Sequence, residues 1–345
     1  MNNDVLTEIL LHLPVQSLLR FRAVCRSSAD VIDSSYFREL HTHNNRSDDT
    51  VCLEVSLSND GILVQHNTKS LISSNSEGLG LTSCESYSRV LLYGSVKGLI
   101  SISLGRHFCS QLSVPIVICN PFLGELKLLP LITTPSCTLS LQSVAIGFDR
   151  DYKVVQLSLC KMHNCLHAYV YSRSTDSWRE LAFDNDLSLV SPIKSRCENG
   201  HFAHWKMSRM VGRDITLKIL SLDMNNEVFK TIMLSEDEFD YFDSPIFAKD
   251  EHLFWRFDFP HSQPHKLVRI YESRCEGSEL SWNYMTSVEV PCSGFGIIPR
   301  WRTSFVVIEH EQRAVAFVYD YRAHKFVCKL PMGSLIAYKG SFVSL

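Results

Sequence analysis

"VICNPFLGELKLLP", residues 117–130, is an apolar strand, a turn and a second apolar strand, and this pattern returns three more times along the chain. The other copies are YVYSRSTDSWREL (169–181), LSLDMNNEVFKTIML (220–234) and FVYDYRAHKFVCKL (317–330). In each copy a polar residue ends the first strand, and a large apolar residue opens the second strand six positions later. These pairs are Asn120 and Leu126, Ser172 and Trp178, Asp223 and Phe229, and Asp320 and Phe326, and a fifth copy with a longer turn runs from Glu272 to Trp282.

The repeat has a regular period. Its polar residues at 120, 172, 223, 272 and 320 are 52, 51, 49 and 48 positions apart, and a second series of short apolar strands (VKGLISISL, ENGHFAHWK, KDEHLFWRF and YKGSFVSL) runs in step with them. A unit of about 50 residues with an inner apolar strand and an outer hairpin buries both of its faces only between neighbours, as in a kelch-type propeller blade. We therefore predict about six blades, with the final strand GSFVSL joining residues 51–72 to close the ring. A β-sandwich, or a pair of them, is the alternative.

The first 41 residues have a helical periodicity instead. Pro14 separates two apolar runs, so it ends one helix and begins the next. A third short helix is expected from about Ser28 to Ser34. We therefore expect an α+β multidomain chain with a small helical domain at 1–41, a polar linker at 42–50 and an all-β, kelch-like propeller at 51–345.

Composition restricts the class of protein. The chain has 345 residues, 45% of them hydrophobic, and a net charge of −3, which is typical of a globular protein without general attraction to nucleic acid. It has no apolar run of about 18 residues, and Asp4 and Glu8 stand where a secretory signal carries Lys or Arg. The 12 cysteines are scattered without a CxxC pair, as expected for buried thiols. We expect a cytoplasmic and/or nuclear protein with no membrane or nucleic-acid partner.

Catalytic and metal-binding motifs are weak. CKMHNCLH (160–167) contains Cys160, His163, Cys165 and His167, all competent zinc ligands, but their spacing differs from that of known zinc fingers and the stretch is typical of a tight hairpin. His201 and His204 lie in the apolar-strand series, where buried and hydrogen-bonded histidines are expected. The sequence contains no GxSxG, HExxH or Walker motif. We therefore predict no catalytic residue, no cofactor and no metal site.

Two parts of the chain resemble one known family. DVLTEILLHLPVQSLLRFRAVCRSSADVI (4–32) resembles an F-box, and the remainder is similar to the F-box-associated, kelch-like domain of the large plant F-box family. The segments that carry the second resemblance are ICNPFLGELKLLP, IGFDRDYKVVQL, VYSRSTDSWREL and ENGHFAHW. Two positions depart from the family pattern, since Met1 and Asn2 replace a leading Leu-Pro and Ser28 replaces a Trp.

The resemblance implies the substrate-recognition subunit of an SCF-type E3 ubiquitin ligase, which is not itself an enzyme. The F-box would dock a Skp-type adaptor and, through it, a cullin, while the propeller would capture a target protein for ubiquitination and degradation. The residues that would form or support the adaptor surface are Leu6, Ile9, Leu10, Leu13, Pro14, Leu18, Leu19, Phe21, Val24 and Cys25. The alternative is that these helices form only a small core or pack on the propeller, which leaves a non-ligase interaction or lectin-like propeller with a degenerate F-box.

One acidic and aromatic segment, LSEDEFDYFDS (234–244), is the candidate for substrate binding. Negative charge beside aromatic anchors suits a basic protein partner, and the alternative is a solvated loop. The predicted contacts are Glu236, Asp237, Glu238, Phe239, Asp240 and Tyr241. YKGSFVSL and YSRSTDSWREL are also similar to the S-locus F-box subgroup of self-incompatibility receptors, which recognise basic secreted ribonucleases.

Overall fold

The computed structural model describes residues 3–44, 51–58, 61–66, 69–73, 89–105, 115–132, 139–160, 165–182, 189–192, 194–195, 200–211, 214–234, 246–248, 253–258, 266–276, 279–290, 296–300, 305–310, 315–320, 323, 325–331, 334–338 and 340–345.

Four helices begin the chain: α1 (Asn3–Leu11), α2 (Val15–Arg22), α3 (Arg26–Asp33) and α4 (Ser35–Asn44). Pro14 caps α2 with a φ of −66° and an extended ψ, so the predicted break between the first two helices is confirmed. Helix α3 begins two residues earlier than expected. Helix α4 was not predicted, and it makes the first three residues of the predicted linker helical. The remainder of that linker, 45–50, lies outside the described residues.

Twenty-five strands follow in the described part of the chain. They are β1 (Val51–Ser58), β2 (Gly61–His66), β3 (Lys69–Ser73), β4 (Arg89–Val96), β5 (Leu99–Gly105), β6 (Ile116–Asn120), β7 (Glu125–Leu128), β8 (Leu139–Phe148), β9 (Tyr152–Cys160), β10 (Cys165–Ser172), β11 (Ser177–Leu181), β12 (Leu189–Pro192), β13 (Lys194–Ser195), β14 (Phe202–Val211), β15 (Asp214–Asp223), β16 (Val228–Leu234), β17 (Ile246–Ala248), β18 (Phe254–Asp258), β19 (Lys266–Glu276), β20 (Glu279–Val290), β21 (Gly296–Arg300), β22 (Phe305–His310), β23 (Val315–Asp320), β24 (Lys325–Pro331) and β25 (Ser334–Tyr338).

The strands form six four-stranded blades, as the repeat predicted. Blade 1 has the order β25-β1-β2-β3, blade 2 is β4 to β7, blade 3 is β8 to β11 and blade 6 is β21 to β24. Blade 4 (β12, β14, β15, β16) and blade 5 (β17 to β20) share one nine-stranded sheet with the short strand β13. They are joined by a parallel contact between β16 and β20, where Met233 pairs with Glu279.

The repeated hairpin of the sequence is the third and fourth strand of a blade. In the first copy Leu126 pairs with Cys119, the residue before the polar Asn120. The equivalent pairs are Tyr171 with Trp178, Leu222 with Phe229 and Tyr319 with Phe326. The polar residue holds the turn, because Oδ1 of Asn120, Asp223 and Asp320 accepts a hydrogen bond from a main-chain N–H two or three residues later.

Two details of the predicted blade are corrected. The apolar strands β5, β14 and β18 are the second strands of their blades, because β4, β12 and β17 lie beyond them on the side away from the outer hairpin. The ring is closed by β25, in which Ile336 pairs with Leu53 of β1, and not by GSFVSL. The described residues 340–345 contain no strand, because their backbone is bound by side chains of blade 2 and Phe342 packs among the helices.

The core consists of layers between neighbouring blades. Strand β6 is buried at every position, and its alternate residues face opposite layers: Val117 packs with blade 1, whereas Ile118 packs with blade 3. The next layer joins blade 3 to blade 4 around Trp205. Each blade therefore depends on both neighbours, which explains why the strands are apolar on both faces. Among the described helices, none has the length and hydropathy needed to cross a membrane.

Candidate functional site

The four helices and the turn between α2 and α3 expose several large apolar side chains. Val5, Ile9, Phe21, Val24 and Tyr36 have exposed fractions between 44% and 72%. Val5 and Ile9 are four residues apart on α1, so they share one face of that helix. Exposed apolar residues grouped on one small domain are typical of a surface that binds a partner.

The predicted adaptor residues are divided between this surface and the interior. Ile9, Phe21, Val24 and Cys25 are exposed. Leu6, Leu13, Pro14 and Leu19 are partly buried. Leu10 and Leu18 have exposed fractions of only 2% and 0%, so they support the surface from beneath. Which of these residues contact an adaptor stays a prediction.

Sequence reasoning missed two exposed residues. Val5 could have been found, because it lies four residues before Ile9 in the same helix. Tyr36 could not have been found in the same way, since it lies in the unpredicted helix α4. Ser28, which stands where the family pattern has Trp, is buried, and its Oγ lies 3.2 Å from Sγ of Cys25. The hydrogen bond from Ser28 lowers the pKa of the Cys25 thiol.

The inner side of the helices packs on the propeller and on the residues that end the sequence. Leu10, Val15, Leu18, Ile32 and Phe37 form one cluster with Phe342, and Phe122 and Leu123 of blade 2 lie against it. The Phe342 ring centroid is 5.5 Å from that of His41 and 6.4 Å from that of Phe37, and the Arg38 guanidinium lies 5.6 Å from it. Residues from both ends of the sequence therefore share one core.

Asn120 organises the segment that carries Phe342. Its buried Nδ2 donates to the carbonyl oxygens of Ser341, at 3.1 Å, and Val343, at 2.8 Å. Its Oδ1 lies 2.9 Å from the Tyr338 hydroxyl, which is the donor. Burial raises the pKa of Tyr338 well above its usual value, so this hydroxyl keeps its proton.

Gly98 lets residues 340–345 approach the backbone of blade 2. Its φ is +75°, and a Cβ at this position would lie 2.6 Å from the main-chain nitrogen of Ser341. The Ser341 hydroxyl donates to the carbonyl oxygen of the neighbouring Lys97. Only glycine fits this contact without a shift of one of the two segments.

An ion-pair cluster connects helices α2, α3 and α4. Asp33 accepts hydrogen bonds from Nε of Arg22, at 2.8 Å, and from Arg38, at 2.7 Å. Partial burial would raise the pKa of the Asp33 carboxyl, but the hydrogen bonds and charges of the two arginines outweigh it and lower that pKa. The cluster links the helices that carry Phe21 and Tyr36.

In the sequence, the predicted substrate loop follows the last strand of blade 4 and precedes the first strand of blade 5. Strand β16 ends at Leu234 and β17 begins at Ile246. All six predicted contacts, Glu236, Asp237, Glu238, Phe239, Asp240 and Tyr241, lie outside the described residues. Their assignment to substrate binding stays a prediction.

The structure brings together three of the four possible zinc ligands. Ligand atoms of Cys160, Cys165 and His167 all lie within 4.8 Å of one another, whereas His163 is outside the described residues. The prediction for His204 is confirmed, since it is buried with its Nδ1 2.7 Å from Oγ of Ser221. The expectation of a buried side chain is wrong for His201, which precedes β14 and is partly exposed.

Comparison with known proteins matches both domains. A family model described as "F-box associated beta propeller domain" matches residues 108–334, and one described as "F-box domain" matches residues 1–40. F-box protein At3g08750 of Arabidopsis thaliana is 26% identical over 256 residues, which cover 66% of this chain but only 58% of the relative. Putative F-box protein At1g67450 of the same plant is 22% identical over 328 residues, which cover 91% of this chain and 75% of the relative.

Solved structures with similar folds are distant in sequence. The Dos1 propeller has a TM-score of 0.43 at 10% identity, over 83% of this chain and 69% of that chain. The β-propeller domain of the Trilobed protease from Pyrococcus furiosus has a TM-score of 0.40 at 12% identity, over 72% of each chain.

Proposed function

The chain belongs to the family defined by the F-box associated beta propeller domain, and on this premise we propose that it is the substrate-recognition subunit of an SCF-type E3 ubiquitin ligase. The helical domain docks a Skp-type adaptor and, through it, a cullin. The propeller captures the protein that is to be ubiquitinated and degraded. The chain performs no catalytic step itself in this proposal.

The exposed apolar residues of the helices are the observation that carries the proposal. Phe21 of α2 and Val24 of the turn between α2 and α3 are exposed, whereas Leu18 and Ile32 of these helices are buried in one cluster with Phe342. The helices therefore have a complete core without these side chains. Removing them from water against an adaptor helix would contribute about 25 cal/mol per Å² of apolar surface.

The junction with the propeller gives the proposed ligase subunit a fixed geometry. Ubiquitin transfer requires that a lysine of the target lie within reach of the charged enzyme. Phe342 and the Asn120 hydrogen bonds hold the helices on blade 2, so a target held by the propeller has a defined position relative to the adaptor. Such a complex assembles in the cytoplasm and/or nucleus, where thiols remain reduced.

Adaptor binding is tested with variants of exposed residues. Full-length chain is co-expressed with a panel of plant Skp-type adaptors and a cullin, and the complex is isolated through the adaptor. We expect Phe21→Asp and Val24→Asp to abolish co-purification, because each variant places a charge in an apolar contact. The matched controls are Leu131→Asp and Val228→Asp on the propeller, where the side chains are 52% and 51% exposed.

Thermal melting is measured on all four variants. Loss of binding with an unchanged melting temperature supports the proposal. Failure of every adaptor to bind the unaltered chain would instead support the propeller with a degenerate F-box. Retained binding by both the Phe21 and the Val24 variant would show that the adaptor binds through other residues. Phe21 and Val24 test adaptor binding more cleanly than Leu13 would. Leu13 is partly buried and packs against the helical core, so a charge there would also affect folding.

The target remains a separate part of the proposal. The acidic and aromatic residues of 234–244 support a basic protein, and the similarity to S-locus proteins supports a basic ribonuclease. We expect replacement of Glu236, Asp237, Glu238 and Asp240 by Ser to weaken target capture and reduce its salt dependence. In the variants that no longer bind the adaptor, captured targets would accumulate and could be identified by proximity labelling. Acidic targets, or target capture that the Ser replacements leave unchanged, would exclude this loop as the target-binding site.

A further inference from the structure

The end of the β9–β10 hairpin in blade 3 places two cysteines and a histidine on one face of the sheet. Cys160 pairs directly with Cys165 across the two strands, so their side chains leave the sheet on the same face. His167 follows Cys165 by two positions in β10, and alternate residues of a strand share a face. The strand register alone therefore brings the three side chains together.

The three side chains are close enough to share one ion. Sγ of Cys165 lies 3.2 Å from Nε2 of His167, and all three ligand atoms lie within 4.8 Å of one another. A tetrahedral zinc ion, ~2.3 Å from sulfur and ~2.1 Å from nitrogen, has ligand atoms roughly 3 to 4 Å apart. The observed cluster needs only a small adjustment to reach that geometry.

Glu180 orients the imidazole of His167 through the ring nitrogen that does not face the cysteines. Nδ1 of His167 lies 2.6 Å from Oε1 of Glu180, on the adjacent strand β11. With its proton on Nδ1, the ring donates to the carboxylate and presents the Nε2 lone pair to the two sulfurs. A histidine held by a carboxylate in this way is typical of metal ligands.

We propose that Cys160, Cys165 and His167 form a zinc site, with Glu180 as its positioning residue. Two thiolates and an imidazole suit Zn²⁺ and disfavour Mg²⁺ or Ca²⁺, which prefer oxygen ligands. Binding displaces one proton from each cysteine thiol to the solvent. The Cys160 side is buried, whereas the His167 side chain is 22% exposed and gives the ion a route from solvent. The ion would connect β9 to β10 at the end of their hairpin.

Metal binding is measured on the full chain, purified without a polyhistidine tag and in a reducing buffer. Competition against a chromogenic chelator gives the zinc stoichiometry and affinity. Substitution by Co²⁺ reports the ligands, since only thiolate ligation produces an intense charge-transfer band. We expect one equivalent of zinc and a cobalt spectrum with that band.

Variants separate ligands from the positioning residue. We expect Cys165→Ser and His167→Gln to lose stoichiometric zinc, and Glu180→Gln to weaken binding by roughly 10- to 100-fold while keeping the cobalt band. His167→Gln changes a partly exposed residue, so its effect does not depend on removal of a buried side chain.

Controls use the same residue types elsewhere. His12→Gln removes an exposed imidazole that is also paired with a carboxylate, that of Glu8, and Cys275→Ser changes a strand residue in blade 5. Both should keep one equivalent of zinc. The proposal is overturned by a cobalt complex without the charge-transfer band, by sub-stoichiometric zinc in the unaltered chain, or by equal zinc affinity in all variants.

Discussion

The hydroxyl of Tyr338 lies 2.9 Å from Oδ1 of Asn120, and this contact joins the closing strand of blade 1 to the third strand of blade 2. Nδ2 of the same Asn120 side chain donates a hydrogen bond to the carbonyl oxygen of Val343. One buried amide therefore links closure of the ring to the segment that carries Phe342 into the helical core.

Asn120→Ala should lower the free energy of unfolding by ~3 kcal/mol, because it leaves several buried partners without a hydrogen bond. Tyr338→Phe should cost about 1–2 kcal/mol. The double variant should cost less than the sum of the two, since both changes remove one shared contact. Chemical denaturation measures all three. Tyr284→Phe is the control, because Tyr284 is exposed and its hydroxyl bonds only Ser287 among the described residues. Strictly additive effects would show that the two residues act independently.

Phe342→Ala and Phe21→Ala remove the same side chain from a buried position in the helical core and from an exposed position on α2. Phe342 is buried, so its removal should cost about 3–5 kcal/mol. Phe21 is exposed, so its removal should change stability by less than about 0.5 kcal/mol while weakening adaptor binding. Denaturation and adaptor pull-down are measured on both. Equal stability losses would contradict the assignment of Phe342 to the core and of Phe21 to the surface.

The outer hairpins could be predicted from sequence because their determinants are local. Asn120, Asp223 and Asp320 each bond the turn that follows them, so a polar residue and a large apolar one at fixed spacing are enough to locate the strands. Closure of the ring is non-local. GSFVSL is apolar enough for a strand, but its backbone is bound by Asn120 and Glu125 from more than 200 positions away in the sequence.

The candidate site was predictable only in part, for a similar reason. Leu10 and Ile9 are neighbours in an apolar run, yet one is buried and the other exposed, because α1 packs against Phe342 from the far end of the sequence. Cys160, Cys165 and His167 have no recognised linear zinc spacing. Their proximity comes from the register of β9 with β10, and Glu180 is supplied by a third strand.

Gly98→Ala tests whether residues 340–345 need close approach to blade 2. Its positive φ alone should cost about 1 kcal/mol, and the overlap of a Cβ with Ser341 should add ~1–3 kcal/mol. Gly124→Ala is the matched control, since Gly124 has a φ of +70° but no atom within 4 Å of the added Cβ. Denaturation should show the larger loss for Gly98→Ala. Equal losses would mean that Ser341 moves away without consequence.

Glu227 connects blade 4 to blade 3 through two cations. Its Oε1 lies 3.0 Å from Nζ of Lys153, and its Oε2 pairs with Arg179. Partial burial would raise the pKa of the Glu227 carboxyl, but the hydrogen bonds and charges of Arg179 and Lys153 outweigh it and lower that pKa. Because the native pKa lies below the unfolded one, the stabilisation is fully present above the unfolded pKa and is lost as the pH falls through the native pKa.

Glu227→Gln should therefore lower the free energy of unfolding by about 1–2 kcal/mol at neutral pH, since Arg179 is half exposed and only Lys153 is well shielded from water. This difference from the unaltered chain should stay constant down to about pH 5.5 and then shrink as the pH falls below roughly 4.5. Denaturation curves at a series of pH values measure it. Glu8→Gln, at an exposed carboxylate, should show little difference at any pH. A Glu227→Gln difference that is the same at pH 7 and pH 3 would show that the carboxylate charge does not contribute to the contact between the blades.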